Sequence, residues 1–375
     1  MANTLTNLIP DVYAALDVVS RELVGAIPGV SRNATADRLA VNQTLRSSVA
    51  PANTTSTFTP SMAIPAAVDQ TIGKKDLTLT KNKYAAFSWT GEESYAVDQG
   101  PGFLTIQQDQ IAQAFRVLVN EMENDVCDAI AQGASRAYGT AGTTPFASTL
   151  ADSAQARKIL DDNGAPASGR SLVINTTAAA ALRTLGQLTK ANEAGTSMTL
   201  RDGELLNMHG FSVRESAQIN DATAGTGASY LLNGALAVGA TSVTVDTGTG
   251  TILAGDIVTI GAHKYVVATA LASNVFTINA PGIVAAAADN LAITVNATSA
   301  RNIAFSPNAL TLATRLPIFP AQGDLAIDNE IITDPRTGIS FDLRVYPGDG
   351  MVLYRIHALW GWSMVKPEHA ALILG

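Results

Sequence analysis

Between Thr105 and Gly133 the apolar residues Ile111, Phe115, Leu118, Met122, Val126 and Ile130 recur at steps of three and four. That period lines them along one side of an α-helix. The acidic residues Glu121, Glu123, Asp125 and Asp128 fall mostly off the stripe. At a rise of ~1.5 Å per residue such a helix is nearly 45 Å long. A typical globular helix has about 12 residues, so this one sets the scale of whatever is built around it.

Upstream, the segment from Pro10 to Pro28-Gly29 reads as an amphipathic helix, and residues 31–68, rich in Ala, Asn, Thr, Ser and Pro, read as an extended arm. Asp76–Thr80 alternates apolar with polar residues, and Tyr84–Trp89 does so more loosely. With the polar turn Lys81-Asn82-Lys83 between them, they suggest a long two-stranded excursion ending at Gly100-Pro101-Gly102. Downstream, Ser153–Asp162 reads as a helix, Ser171–Asn175 as a short apolar strand and Thr176–Leu188 as an Ala-rich helix.

Composition shifts near Ala222. From Gly234 to Asn296 charges are sparse and short β segments repeat: Ser242–Asp246, Ile257–Ile260, Tyr265–Ala268, Val275–Asn279 and Leu291–Val295. Turns with Gly and Asp separate them at the roughly 8–12-residue spacing of a small barrel or sandwich. Ala222–Gly227 and Asn296–Arg301 read as linkers that bracket an inserted module. Beyond it, Ser306–Arg315 suggests a short helix, and alternation resumes at Phe341, Leu343 and Val345 and from Met351 through His357.

Charged residues make up only 15% of the chain against 47% hydrophobic, with a mean hydropathy of +0.17. Soluble domains usually carry about 25% charge, so a chain without bilayer-length apolar runs and this poor in charge is expected to cover its surface with neighbours. A net charge of −8 argues against gripping phosphates over the whole surface, though not against enclosing nucleic acid. The N-terminal segment lacks a basic region and carries Asp11, Asp17 and Glu22, unlike a signal peptide. The lone Cys127 allows neither an intrachain disulfide nor a cysteine metal cluster. Its acidic neighbours Asp125 and Asp128 should raise the thiol pKa.

No catalytic constellation emerges. Asp246-Thr247-Gly248 matches the aspartic-protease signature, but that chemistry needs two carboxylates sharing a proton, and the motif occurs once, directly after a strand. It reads as a tight turn. His209, His263, His357 and His369 are scattered without metal-ligand spacing. Gly361-Trp362-Ser363-Met364-Val365 lacks the closing Gly of a nucleophile elbow, and no Gly run is followed by a phosphate-binding lysine. Neither cofactor nor metal is expected. Lys74, Lys75, Lys81 and Lys83 form a basic cluster in an acidic chain. A contact with a neighbouring subunit's acidic helix face, Glu121 and Asp125 in particular, is the functional reading; a solvated hairpin tip is the alternative.

The order of elements resembles the Hong Kong 97-type (Johnson) fold of tailed-bacteriophage major capsid proteins. More narrowly it resembles the coat proteins of short-tailed Salmonella-type phages, which carry an inserted β-barrel. The resemblance rests on Asn7–Val30, on Ala235–Val295 with Ala240–Val245 and Ala254–Ile260, and on Tyr354–Trp362 followed by Lys366-Pro367-Glu368. It implies an α+β chain: N-terminal helix and arm over 1–68, an E-loop-like hairpin over 69–102, and a peripheral domain with its spine helix over 103–165. An axial domain would occupy 166–229 and 299–335, the inserted all-β domain 230–298, and closing strands 336–375. By the same resemblance the protein is a non-enzymatic virion component made in the bacterial host cytoplasm. Its partners would be itself in hexamers and pentamers, a scaffolding protein and a portal during assembly, and enclosed double-stranded DNA, with no membrane. A phage tail or surface-adhesion protein using the β module for binding is the alternative.

Overall fold

Two helices follow each other in the first half of the chain, α1 (Gly91–Asp98) and α2 (Phe103–Gly133), and the second is the 31-residue helix that the apolar stripe demands. The structure is a computed structural model describing residues 24–32, 40–49, 55, 57–62, 72–98, 103–189, 207–318, 320, 323–334 and 338–375. All six stripe residues of α2 are buried. The unanticipated α1 starts at a capping box written in Thr90-Gly91-Glu92-Glu93. Glu93 Oε2 accepts from the Thr90 N–H at 2.9 Å, and Thr90 Oγ1 accepts from the Glu93 N–H at 3.2 Å. Most of the helix anticipated from Pro10 lies outside the described residues; what is described includes a single 3-10 turn at Ile27–Gly29.

Before α2 come strands β1 (Ser31–Arg32), β2 (Thr44–Val49), β3 (Gly73–Thr78) and β4 (Lys81–Thr90). After it come β5 (Arg136–Tyr138), helix α3 (Ala151–Asp162), β6 (Ser171–Ile174), helices α4 (Thr176–Thr184) and α5 (Gly186–Thr189), and β7 (Ser212–Glu215) and β8 (Asp221–Ala222). Asn175 caps α4 by accepting from the Ala178 N–H at 2.9 Å. The β-rich stretch supplies β9 (Tyr230–Leu232), β10 (Ser242–Asp246), β11 (Ile257–Ile260), β12 (His263–Ala272), β13 (Val275–Ile278) and β14 (Ala292–Val295). The chain closes with β15 (Ser299–Phe305), β16 (Leu310–Arg315), β17 (Asp328–Thr333), β18 (Ser340–Pro347), β19 (Met351–Met364) and β20 (Ala370–Leu374).

The excursion around Lys81-Asn82-Lys83 is not the hairpin expected. β3 pairs antiparallel with β2, from Thr44↔Thr78 to Val49↔Gly73. Lys81, Asn82 and Lys83 lie inside β4, which runs along β19 from Lys81↔Trp360 to Thr90↔Met351. The reason is burial. Phe87 of β4 stacks on Tyr354 of β19 with centroids 5.1 Å apart, and Ala85 and Phe87 pack against the core that α2 shares. Pairing with the exposed β3 would leave those side chains in water.

β19 is the spine of a six-stranded sheet. β4 covers one edge, while β18 and then β16 share the other; β17 borders β18, and β1 runs parallel to β16. α2 packs on this sheet, and Phe115 meets Phe341 edge to face at 5.1 Å. The second sheet is central: β5 and β20 run parallel, then β15 antiparallel, then β6 with β7 parallel to it. Its faces alternate cleanly. Val173, Ile303, Phe305, Leu372 and Leu374 turn toward α2, whereas Leu172, Ile174, Ala304, Ala371 and Ile373 turn toward α3 and α4. Covered on both sides, β6 and β20 are almost wholly apolar, as buried strands tend to be.

Three further expectations fail here. Asn296–Arg301 runs into β15, buried at every residue, so it is no linker. Its polar residues disguise it: Asn302 Oδ1 accepts from the Asn175 N–H at 2.7 Å, and the Arg301 guanidinium donates to the Gly255 carbonyl. Ser306–Arg315 is a 3-10 turn at Pro307–Ala309 and the strand β16, where Leu310 and Leu312 alternate inward in a sheet. Glu123, expected off the apolar stripe, is fully buried.

The β-rich stretch closes on itself. β11 pairs β14, β14 pairs β9, β9 pairs β10, β10 pairs β13, β13 pairs β12, and β12 returns to β11. The barrel has its own core, including Val243, Val245, Val258, Tyr265, Phe276 and Ile293. Its ends lie together, because Ala222 of β8 pairs with Ser299 of β15. It is also stitched to the central sheet: Lys264 and Tyr265 of β12 pair with Ala137 and Arg136 of β5. Asp246-Thr247-Gly248 is a turn, with Thr247 at φ 57° and the Gly248 N–H donating to the Asp246 carbonyl at 2.7 Å.

Candidate intersubunit surface

Among the described residues, the β2–β3 ribbon buries apolar side chains only at its base. Leu77 and Leu79 bury against Ala313 and Leu359, with Leu45 beside them. Toward Val49 and Gly73 both faces are largely exposed, and the cross-strand pair Arg46–Asp76 (3.0 Å) is itself exposed. A two-stranded ribbon is at best marginally stable alone. In the segment of sequence between β2 and β3, Phe58 is 83% and Ile72 69% exposed, and Met62 is fully exposed. Lys74 stands exposed on the ribbon and Lys75 is half-buried.

The other two lysines of the cluster are elsewhere. Lys81 Nζ lies 3.8 Å from Glu121 and 3.6 Å from Asp125, and Lys83 Nζ lies 3.4 Å from Glu121. Asp125 also accepts from Trp360 Nε1 at 2.8 Å. The pairing that charge suggested between neighbours is thus made within one chain, because β4 lies alongside α2 on the six-stranded sheet. Of the six named residues, Lys74 and Lys75 are on the ribbon, away from this ion-pair network.

Sequence reasoning missed the role of Glu123. Its carboxylate accepts from the backbone N–H groups of Gly25 (2.8 Å), Ala26 (2.7 Å) and Ile27 (3.0 Å), fastening the segment after the N-terminal region to α2. The Cys127 thiol is buried one turn on, and burial first, then Glu123, push its pKa well up. The direction matches expectation, although burial dominates. Ser153 Oγ lies 2.8 Å from His209 Nδ1, yet Ser153 is fully buried and lies 2.9 Å from the Leu150 carbonyl. The hydroxyl is thus engaged by the Leu150 carbonyl as well as by the histidine, and it is closed off from solvent. Among the described residues no group of three or more His, Cys, Asp or Glu is placed to hold a metal ion, and no helix is long and apolar enough to cross a membrane.

The overall fold recurs in solved structures. One from Mycobacterium phage Che8 superposes with a TM-score of 0.54 at 15% identity, covering 92% of this chain and 89% of that one. The capsid structure of the cyanophage P-SCSP1u superposes with a TM-score of 0.50 at 12% identity, covering 92% and 86%. The chain shares its fold with a phage capsid protein. No curated protein matches it in sequence. A family model described as the C-terminal part of the voltage-gated calcium channel subunit alpha matches residues 12–153, well under half of the chain.

Within that fold the exposed apolar residues collect on a few elements. Ile318, Leu325 and Ile327, at 71%, 85% and 64% exposed, precede the edge strand β17, which adds Ile331. Between β4 and α2 lies an open groove of about 390 Å³, lined by Ala85, Ala86, Phe87, Gln113, Ala114 and Val117 among others. Val117 interrupts the polar face of α2 at 59% exposure.

Proposed function

We propose that this chain is the major capsid (coat) protein of a tailed bacteriophage, a non-enzymatic subunit that self-assembles into the icosahedral shell around double-stranded DNA. The observation that carries this is the shared fold, extending over nine-tenths of this chain and most of its structural neighbours. In this reading the fold is of the Hong Kong 97 type. The β2–β3 ribbon acts as the E-loop, α2 and the six-stranded sheet form the peripheral domain, the central sheet forms the axial domain, and the barrel is an insertion into it. The relation to Salmonella-type coat proteins rests on that barrel. Scaffolding protein, portal and enclosed DNA are the partners such a subunit would meet in the host cytoplasm and the virion.

The ribbon supports this reading physically. It exposes both faces, carries Lys74 and Lys75, and has Phe58, Met62 and Ile72 in the sequence between its strands, so it gains most from lying on another copy. Negative-stain images of the purified protein, with and without a coexpressed scaffold, should show shells or capsomers. Only monomers, or fibres, would overturn the proposal. Lys74→Glu with Lys75→Glu should cut shell yield while leaving the subunit folded; each exposed pair is worth about 0–1 kcal/mol, but every lattice position repeats the loss.

A further inference from the structure

A second cleft opens where the barrel meets the central sheet, with a volume of about 420 Å³. Its walls are β5 and the turn after it, α3, and the turn between β11 and β12. Arg136, Lys158, His263 and Lys264 line it, and among the described residues no Asp or Glu does. In a chain of net charge −8 this is an unusual concentration of positive charge.

Arg136 anchors the cleft. It is only 5% exposed, and its Nη2 donates to the Ile159 carbonyl at 3.3 Å and to Asn163 Oδ1 at 3.1 Å. Its Nε has no hydrogen-bond partner among the described residues. A buried donor left unsatisfied costs about 1–3 kcal/mol, and native proteins keep few of them. Asp162, 3.6 Å from Arg136 and 3.0 Å from Lys158, offsets part of the charge from outside the lining. Lys264 is held in place by donating to the Gly139 carbonyl. His263 feels the remaining field: burial first, then Arg136 and Lys158, lower its proton affinity.

We propose that this cleft binds a phosphate-type oxyanion through Arg136, Lys158 and Lys264. Its volume falls within the roughly 300–1,000 Å³ of small-ligand pockets, leaving room for more than a lone phosphate. Since β5 of the central sheet and β12 of the barrel are paired neighbours in one wall of the cleft, the bound anion lies across the seam between barrel and central sheet. The site stands independently of the shell reading. The phosphate can come from a free small molecule or from a nucleic-acid backbone.

The test is calorimetric titration of the full chain with pyrophosphate and, separately, with a short DNA duplex. Pyrophosphate should saturate at one equivalent per chain. Gln155→Glu puts a carboxylate into the lining without removing a basic contact and should abolish binding. Lys158→Ala with Lys264→Ala should weaken it by about tenfold or more, at least 1.4 kcal/mol, and Lys74→Ala with Lys75→Ala should leave it unchanged. A duplex that competes with pyrophosphate identifies a nucleic-acid backbone as the source; pyrophosphate binding without competition identifies a small phosphate. No saturable binding, unchanged binding in the folded Gln155→Glu chain, or loss only in the ribbon variant would overturn the proposal.

Discussion

Removing the Glu123 carboxylate should release the segment around Gly25–Ile27 from α2 without unfolding the rest of the subunit. Three backbone N–H groups converge on this buried side chain at 2.7–3.0 Å, two on Oε1 and one on Oε2. The segment is packed so tightly that a Cβ on Gly25 would sit 2.6 Å from Val173 Cγ1, so the N–H groups cannot turn away to other acceptors. Hydrogen bonds to a charged group contribute about 1.5–3 kcal/mol each, and they are not additive when they share one carboxylate. Removing the carboxylate leaves three buried N–H groups unsatisfied at about 1–3 kcal/mol each, less than additively, so about 3–5 kcal/mol is the expected loss for Glu123→Ala. Glu123→Gln keeps one acceptor oxygen for Gly25 and Ala26 but turns an amide NH₂ toward the Ile27 N–H, so about 1–3 kcal/mol should go. Native-state hydrogen exchange reads this directly, since local opening has its own free energy. Amide protection at Gly25, Ala26 and Ile27 should fall by about two to three decades in the Ala variant and by fewer in the Gln variant. Unchanged protection in the Ala variant, with the core amides of α2 still native, would refute the latch.

Three further outcomes follow from individual contacts. His357 is buried on β19 beside Tyr84, with an unpartnered Nε2 among the described residues, and burial, then Arg355 and Arg344, lower its pKa from 6.5 to about 4. The unfolded chain therefore takes up a proton that the folded chain refuses, so stability is full above pH 6.5 and falls by up to about 3 kcal/mol as the pH drops to 4. His357→Phe should flatten that part of the denaturation-midpoint profile, and an unchanged acid limb would count against it. Gly361→Ala should loosen the ribbon base by about 1–3 kcal/mol, because its Cβ would lie 2.1 Å from the Thr78 carbonyl oxygen; faster proteolysis between β2 and β3 is the readout, and wild-type resistance would contradict it. Residues 223–298 expressed alone should give dispersed amide spectra and a cooperative melt, since all six strands of the barrel pair in a closed ring around their own core; a disordered fragment would show that it depends on the pairing of β12 with β5.

Where a single period of burial ran long enough, the sequence was transparent. The stripe of α2 has one apolar side over many turns, and the barrel strands alternate between a core and water, so both could be read from residue spacing alone. β15 could not, because Arg301 and Asn302 sit in its buried middle and look like surface residues until their acceptors, carried by distant parts of the chain, are known. The pairing of β3 was hidden for the opposite reason. Thr44–Val49 has too few apolar residues to announce a strand, and sequence proximity favoured β4, whose true partner β19 lies about 280 residues away in the register Lys81↔Trp360. Glu123 was invisible because what it holds is backbone, which carries no signature of its own. The capping box at Thr90–Glu93, by contrast, was legible and passed over.

The displaced hairpin changes what the lysines can do. Had Lys81 and Lys83 stood at a ribbon tip, the Glu121–Asp125 face of α2 would have been an unpaired acidic strip available to any neighbour. Instead β4 brings both lysines to that face within the chain, leaving exposed the apolar Val117 and the groove beside it. Charge that could steer association therefore remains on Lys74 and Lys75, while the surface offering contact area is apolar. Such a division suits a subunit whose encounters are guided weakly by charge and whose contacts then depend on burying Phe58, Met62 and Ile72. On the proposed shell reading, raised salt should slow assembly more than it weakens finished shells, because salt screens exposed charges over about 8–10 Å and leaves apolar burial intact. Light scattering against salt concentration, measured for assembly rate and for shell dissolution, separates the two; shells that dissolve as readily as assembly slows would place the binding energy in the ion pairs instead.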